Sequence, residues 1–143
     1  MADLSLSNVK ITVDAYEQLL AICARLYPNE ACGVLARSEP SESIDIALPI
    51  RNVHKRPEDS FAFHPAEWTN TFFGMQRNRQ QLVGFFHSHP HSHAQPSLRD
   101  YAGFLPAPGM TYWIVSLKDR DLPEVQPYLL ENGHFLPVPL MLA

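Results

Sequence analysis

The run Leu82–Phe86 (LVGFF) leads without a polar break into His87-Ser88-His89-Pro90. A short apolar run with no alternation predicts a strand covered on both faces. Such a strand needs a sheet with helices packed over it. Pro90 has no amide to donate to a ladder, so the regular strand ends there. His87 and His89 then share one face at the end of the strand, with Cα atoms about 6.5–7 Å apart. That separation lets two imidazoles converge on one ion at ~2.0–2.1 Å.

The rest of the chain supplies such a sheet. Asn8–Thr12 reads as a strand. Tyr16, Leu19, Leu20, Cys23 and Leu26 recur at helical spacing. Asp14 with Glu17 could form a capping box for this helix, or Thr12 could cap it. Pro28 ends it. Glu30–Arg37 and Ile44–Val53 read as strands, and Pro65 opens a second helix striped by Trp68, Phe72 and Met75. A short helix after Ser97, ended near Pro106, precedes a strand at Tyr112–Leu117. Val125–Leu130 and His134–Val138, joined by Glu131-Asn132-Gly133, read as a hairpin. Helices and strands alternate early and the strands turn antiparallel late. The fold class is therefore α/β, a mixed β-sheet flanked by helices, expected as a single domain over residues 1–143.

Composition limits the function classes. With 45% hydrophobic and 18% charged residues the chain can bury a core. A net charge of −4 argues against a protein that coats phosphates, so no nucleic-acid partner is expected. No apolar run approaches the ~18–20 residues of a membrane span, and the first ten residues do not read as a signal peptide. The two cysteines, Cys23 and Cys32, make no disulfide framework. A cytoplasmic location is the expectation, as a monomer or homodimer.

Four histidines fall in seven residues, at 87, 89, 91 and 93. Pro90 and Pro96 bracket the last two in a loop, so His91 and His93 are expected to be exposed rather than ligands. Ser97-x-x-Asp100 is a plausible helix cap with a carboxylate in the first turn. Together with the histidine pair it also offers two imidazoles and one carboxylate, three ligands that leave a fourth position open.

The pattern His-Ser-His-Pro, six residues, then Ser-x-x-Asp, with Glu30 upstream in PNEACGVL (Pro28–Leu35), resembles the JAMM motif of the MPN-domain metallopeptidases. The order of elements fits over nearly the whole chain. The resemblance implies the MPN fold, a cytidine-deaminase-like α/β/α arrangement. It implies that His87, His89 and Asp100 bind one catalytic Zn2+, that Glu30 takes a proton from the attacking water, and that Ser97 stabilises the tetrahedral oxyanion. It further implies a substrate: the C-terminal tail of a ubiquitin-like or ThiS/MoaD-type sulfur-carrier protein, cut at a peptide or isopeptide bond. The short chain resembles the compact stand-alone prokaryotic members. Cys32 shares a face with Glu30 and reads as a small buried residue near the site. Phe85, Phe86 and Trp113 read as core, the Trp113 indole N–H needing a partner.

Other readings compete. A non-catalytic MPN scaffold would bind partners only, but such members have degraded ligand sets and this one is intact. A RadC-like, DNA-associated protein shares a similar core, but the Asn expected between the histidines is Ser88, and a basic footprint is lacking. A zinc deaminase needs a Pro-Cys-x-x-Cys pair that is absent. Two His and a carboxylate also suit iron in a facial triad. The contiguous His-x-His with Glu30 in support favours zinc hydrolysis.

Overall fold

The computed structural model describes residues 8–103, 107 and 109–143, the side chains of 101–103 aside. In chain order the elements are β1 (Val9–Ile11), α1 (Val13–Leu26), β2 (Cys32–Ser38), β3 (Ile46–Ile50), α2 (Pro65–Arg77), β4 (Gln80–His89), α3 (Leu98–Gly103), β5 (Thr111–Ser116), β6 (Glu124–Glu131), β7 (His134–Pro137) and β8 (Leu140–Leu142). The expected end of the short helix near Pro106 lies outside the described residues.

Six strands form one mixed sheet in the order β3-β2-β4-β5-β6-β7. Only β4 and β5 run parallel; the other neighbours are antiparallel. β4 extends from Gln80 through His89, so it starts earlier than the apolar run and carries both histidines within the ladder. Asn132 and Gly133 both take positive φ, the conformation a two-residue hairpin turn demands, and β6 folds onto β7 there. The sequence reading missed β8, which pairs in parallel with β1 as a separate two-stranded sheet.

Helices cover both faces, as the side-chain parity of β2 requires. Leu35 packs with Phe86, Trp113 and Val115 against Leu19, Ile22 and Cys23 of α1. Its neighbours Val34 and Ala36 point the other way and pack with Met75 and Trp68 of α2. Thr12 is the residue that caps α1, its hydroxyl accepting from the Ala15 amide at 3.1 Å. Pro65 opens α2 as expected, behind a His64 cap. The Trp113 indole N–H donates to Thr111 Oγ1 at 2.7 Å. No helix among the described residues is long and apolar enough to cross a membrane.

Gly33 is opposite Phe86 in the β2–β4 register, and the Phe86 ring lies over it. A Cβ at 33 would meet that ring at 2.7 Å and would be driven against the Leu48 carbonyl oxygen of the neighbouring strand. A strand backbone cannot retreat cheaply. Gly33→Ala should therefore destabilise the protein by about 2–3 kcal/mol, read from urea unfolding midpoints.

Candidate metal centre

The parity that sends Phe86 toward α1 sends Phe85, His87 and His89 to the opposite face. On that face His87 is opposite Cys32 of β2 and Ile114 of β5. The site therefore lies at the carboxyl end of β4, beside the parallel β4–β5 pair, where the chain leaves the sheet to cross over. Ligand sites favour this end of a parallel pair.

Four of the five residues singled out in the sequence are buried: Glu30 is 5% exposed, His87 0%, His89 4% and Asp100 5%. Ser97 is half-buried beside them. His87 Nε2 and His89 Nε2 face each other at 3.1 Å. Asp100 closes the triangle, with Oδ1 at 3.0 Å from His87 Nε2 and Oδ2 at 3.2 Å from His89 Nε2. Among the described residues this is the one cluster of three metal-ligating groups. Donors held at ~2.0–2.1 Å on a tetrahedron stand about 3.4 Å apart. The observed triangle is a few tenths of an ångström tighter, so two imidazoles and one carboxylate fit a zinc-sized ion with little rearrangement.

Neighbouring groups fix the orientation of each donor. The His93 carbonyl lies 2.8 Å from His89 Nδ1. A carbonyl only accepts, so Nδ1 carries the proton and, in the neutral ring, Nε2 presents its lone pair to the triangle. Phe61 stacks on His87 at 4.6 Å and 22°. Ser97 and Asp100 form a reciprocal cap: the Ser97 amide donates to Asp100 Oδ2 at 2.8 Å, and the Asp100 amide donates to Ser97 Oγ at 3.2 Å. The cap and the ligand position are thus one arrangement.

Glu30 lies just before β2 rather than within it. The Ala31 amide donates to Ser88 Oγ at 2.8 Å, and the Ser88 amide donates to the Ala31 carbonyl at 2.9 Å. These bonds carry the β2–β4 register one residue further and set Glu30 level with His89. The Asn52 side chain holds the same segment, donating to the Glu30 and Ser60 carbonyls at 3.0 Å each. Glu30 Oε1 is buried with no hydrogen-bond partner among the described residues. An unsatisfied buried oxygen costs roughly 1–3 kcal/mol and calls for a reason.

Charges in the cluster divide sharply. Burial pushes the Glu30 carboxyl up to about 8, with His89 opposing and the Asp100 charge adding to the rise. Burial also lowers His87, outweighing its bond to Asp100. For His89 the bonds to Asp100 and the His93 carbonyl outweigh burial and raise it. Asp100 is held far below the usual carboxylate range by both histidines, against the pull of burial. Cys32, pushed up to about 12 by burial and donating to the Ile50 carbonyl at 3.3 Å, is an inert thiol, as expected from sequence.

His91 and His93 are exposed loop residues. The sequence reading missed Phe61, Asn52 and the His93 carbonyl. Phe61 follows a polar loop and carries no motif, whereas a backbone carbonyl leaves no trace in residue identity.

The family described as prokaryotic homologs of the JAB domain matches residues 12–128. A desampylase of Haloferax volcanii is 31% identical over 120 residues, covering 80% of this chain and 84% of that protein. A CysO-cysteine peptidase of Mycobacterium tuberculosis is 28% identical over 123 residues, covering 86% and 83%. The solution structure of a Desulfitobacterium hafniense protein superposes with a TM-score of 0.82 at 28% identity, covering 94% and 92% of the two chains.

Two outcomes are expected of the centre. His89→Ala should lose bound metal, measured by elemental analysis of the purified protein. His93→Ala should retain it, because the orienting group is the carbonyl and survives the substitution. In the metal-free protein, Glu30 is neutral when folded up to about pH 8, but ionises near 4.5 when unfolded. Its raised folded-state pKa means that stability falls as pH rises between those values. Glu30→Gln, which cannot ionise, should gain in melting temperature over the parent chain across that window, the gap levelling off above pH 8.

Proposed function

The chain belongs to the prokaryotic JAB-domain family, and on that premise we propose that it is a zinc-dependent peptidase or isopeptidase in which Glu30 is the general base. The observation that carries the reading is the pairing of a three-donor cluster with a buried carboxylate that has an unsatisfied oxygen, set level with His89. Three protein donors with a fourth position open distinguish a catalytic zinc site from a structural one.

Zinc held by His87, His89 and Asp100 would supply Lewis acidity, polarising the scissile carbonyl and lowering the pKa of water to about 7. Glu30 accepts one proton from the attacking water and later delivers it to the departing amine nitrogen. The proton count closes, and the carboxylate is restored for the next turnover. Burial raises the Glu30 carboxyl to about 8 in the metal-free chain, which favours the protonated form that delivers a proton; the charge of a bound cation nearby would favour the carboxylate that accepts one. Ser97 Oγ accepts the Asp100 amide, yet its own proton is still available to donate. That proton is the one assigned to the developing oxyanion.

The substrate proposed is the C-terminal tail of a ubiquitin-like or ThiS/MoaD-type sulfur-carrier protein. The family resemblance supports this class, as do relatives named desampylase and CysO-cysteine peptidase.

Incubation of the zinc-loaded protein with such a carrier, extended beyond its Gly-Gly end, should yield the trimmed mass by mass spectrometry. Glu30→Gln should keep one zinc per chain and lose at least about 10²-fold in kcat, the usual contribution of a positioned general base. Near-parental turnover by that variant would remove Glu30 from the role.

A further inference from the structure

Three consecutive carbonyls in the loop after β4 are each held by a side chain. Ser116 Oγ donates to the Ser92 carbonyl at 2.6 Å, and the Tyr128 hydroxyl donates to the Ala94 carbonyl at 2.6 Å. Between them, the His93 carbonyl accepts from His89 Nδ1 at 2.8 Å. The three donors come from three adjacent strands, β4, β5 and β6. Register puts them on one face of the sheet. Ser116 is opposite His89, and Tyr128 is opposite Tyr112, itself opposite Phe85. The Leu117 amide donates to the His89 carbonyl at 3.0 Å, so the His89 backbone is fixed as well.

The loop is otherwise a surface segment. His91, Ser92, His93 and Gln95 are exposed, while Ala94 is buried in a cluster with Tyr112, Ile114, Tyr128 and Phe135. Apolar contact through Ala94 is non-directional and would leave the neighbouring carbonyls free to swing. Hydrogen bonds are directional. Ser116 and Tyr128 are 3% and 6% exposed, so water competes poorly for their bonds. Ser116 Oγ also accepts the Lys118 amide at 3.2 Å, which occupies a lone pair and leaves its one proton for Ser92. A peptide unit is planar, so a carbonyl pinned by its oxygen restrains the whole unit. The units before and after the His93 carbonyl are both pinned. The chain between them cannot drift off the sheet, and the middle oxygen stays within reach of Nδ1. A carbonyl cannot be tuned by the side chain of its own residue. It can be aimed by whatever holds its neighbours.

Resting on the zinc reading, we propose that Ser116 and Tyr128 are positioning residues of the metal centre: by holding the carbonyls on either side, they aim the His93 carbonyl at His89 Nδ1 and so keep His89 Nε2 turned to the ion. The test uses the zinc-loaded full chain with Tyr128→Phe, Ser116→Ala and the two combined. Two quantities are read: the rate of zinc release to an excess of chelator, and the exchange with water of the His89 Nδ1 proton, followed by NMR. Losing a group that orients a metal-bound imidazole usually costs about 10–100-fold in affinity. Acting one bond further from the ring, the combined variant should release zinc about tenfold faster, with Nδ1–H exchange accelerated alongside. Each single variant should account for about threefold, so the outcome does not hang on the combined variant folding. Ser116→Thr, which keeps a hydroxyl, should behave as the parent. Thr12→Ala, which removes the cap of α1 on the opposite face of the sheet, should lower the melting temperature and leave both quantities unchanged. Variants at 116 and 128 that melt lower yet keep parental zinc release and Nδ1–H exchange would overturn the positioning role and leave the zinc reading standing. A parent chain that holds no zinc would overturn both.

Discussion

Asp100 serves three functions with one carboxylate, and the centre depends on all three being met together. Its Oδ2 accepts the Ser97 amide and so completes the turn that starts α3. Its two oxygens also reach both histidine Nε2 atoms. Buried at 5% exposure, an ionised carboxylate would be expensive unless it were bonded on several sides. The bonds are there, and they hold its proton affinity far below normal. A cation placed among these groups would replace histidine protons as the counter-charge. The local helix start therefore delivers a carboxylate already oriented and already ionised.

The other half of the site depends on strand register. Glu30 precedes β2, and nothing in its own neighbourhood of sequence directs it to the histidines. The Ala31–Ser88 bonds carry the antiparallel pairing past the formal end of β2 and bring Glu30 level with His89. A slip of one residue would turn Glu30 to the α1 face and expel Leu35 from its core. The apolar contacts of Leu35, Phe86 and Trp113 thus keep Glu30 in line with His89. Asn52 adds a second restraint from the loop that also carries Phe61 to His87.

Much of this was legible in the residues. The apolar LVGFF run, Pro90, Pro65 and Asn132-Gly133 act through local backbone chemistry, and each produced the element expected of it. The gathering of His87, His89 and Asp100 was readable from spacing along one strand plus a helix cap, both short-range features. Other parts were hidden because they depend on partners distant in sequence. β8 is three residues long and exists through its pairing with β1, more than a hundred positions earlier. Glu30 could be assigned only through the family pattern, since its place follows from a long-range register. Phe61 and Asn52 act from a loop whose path the tertiary structure sets. The choice between Thr12 and Asp14 as cap turned on a single backbone conformation at position 12, which residue identity alone leaves open.

The histidine tract shows how spacing can mislead and still carry information. Four histidines alternating in extended backbone would all share a face and suggest a longer metal tract. Pro90 ends the ladder after the second, and the chain turns so that the carbonyl of His93, rather than its ring, comes back to His89. That bond fixes the tautomer of His89 with a group that every residue type possesses. The orientation of His89 therefore places no demand on the side chain at 93. The ring at that position turns outward instead, its Nε2 lying 3.3 Å from Lys118 Nζ.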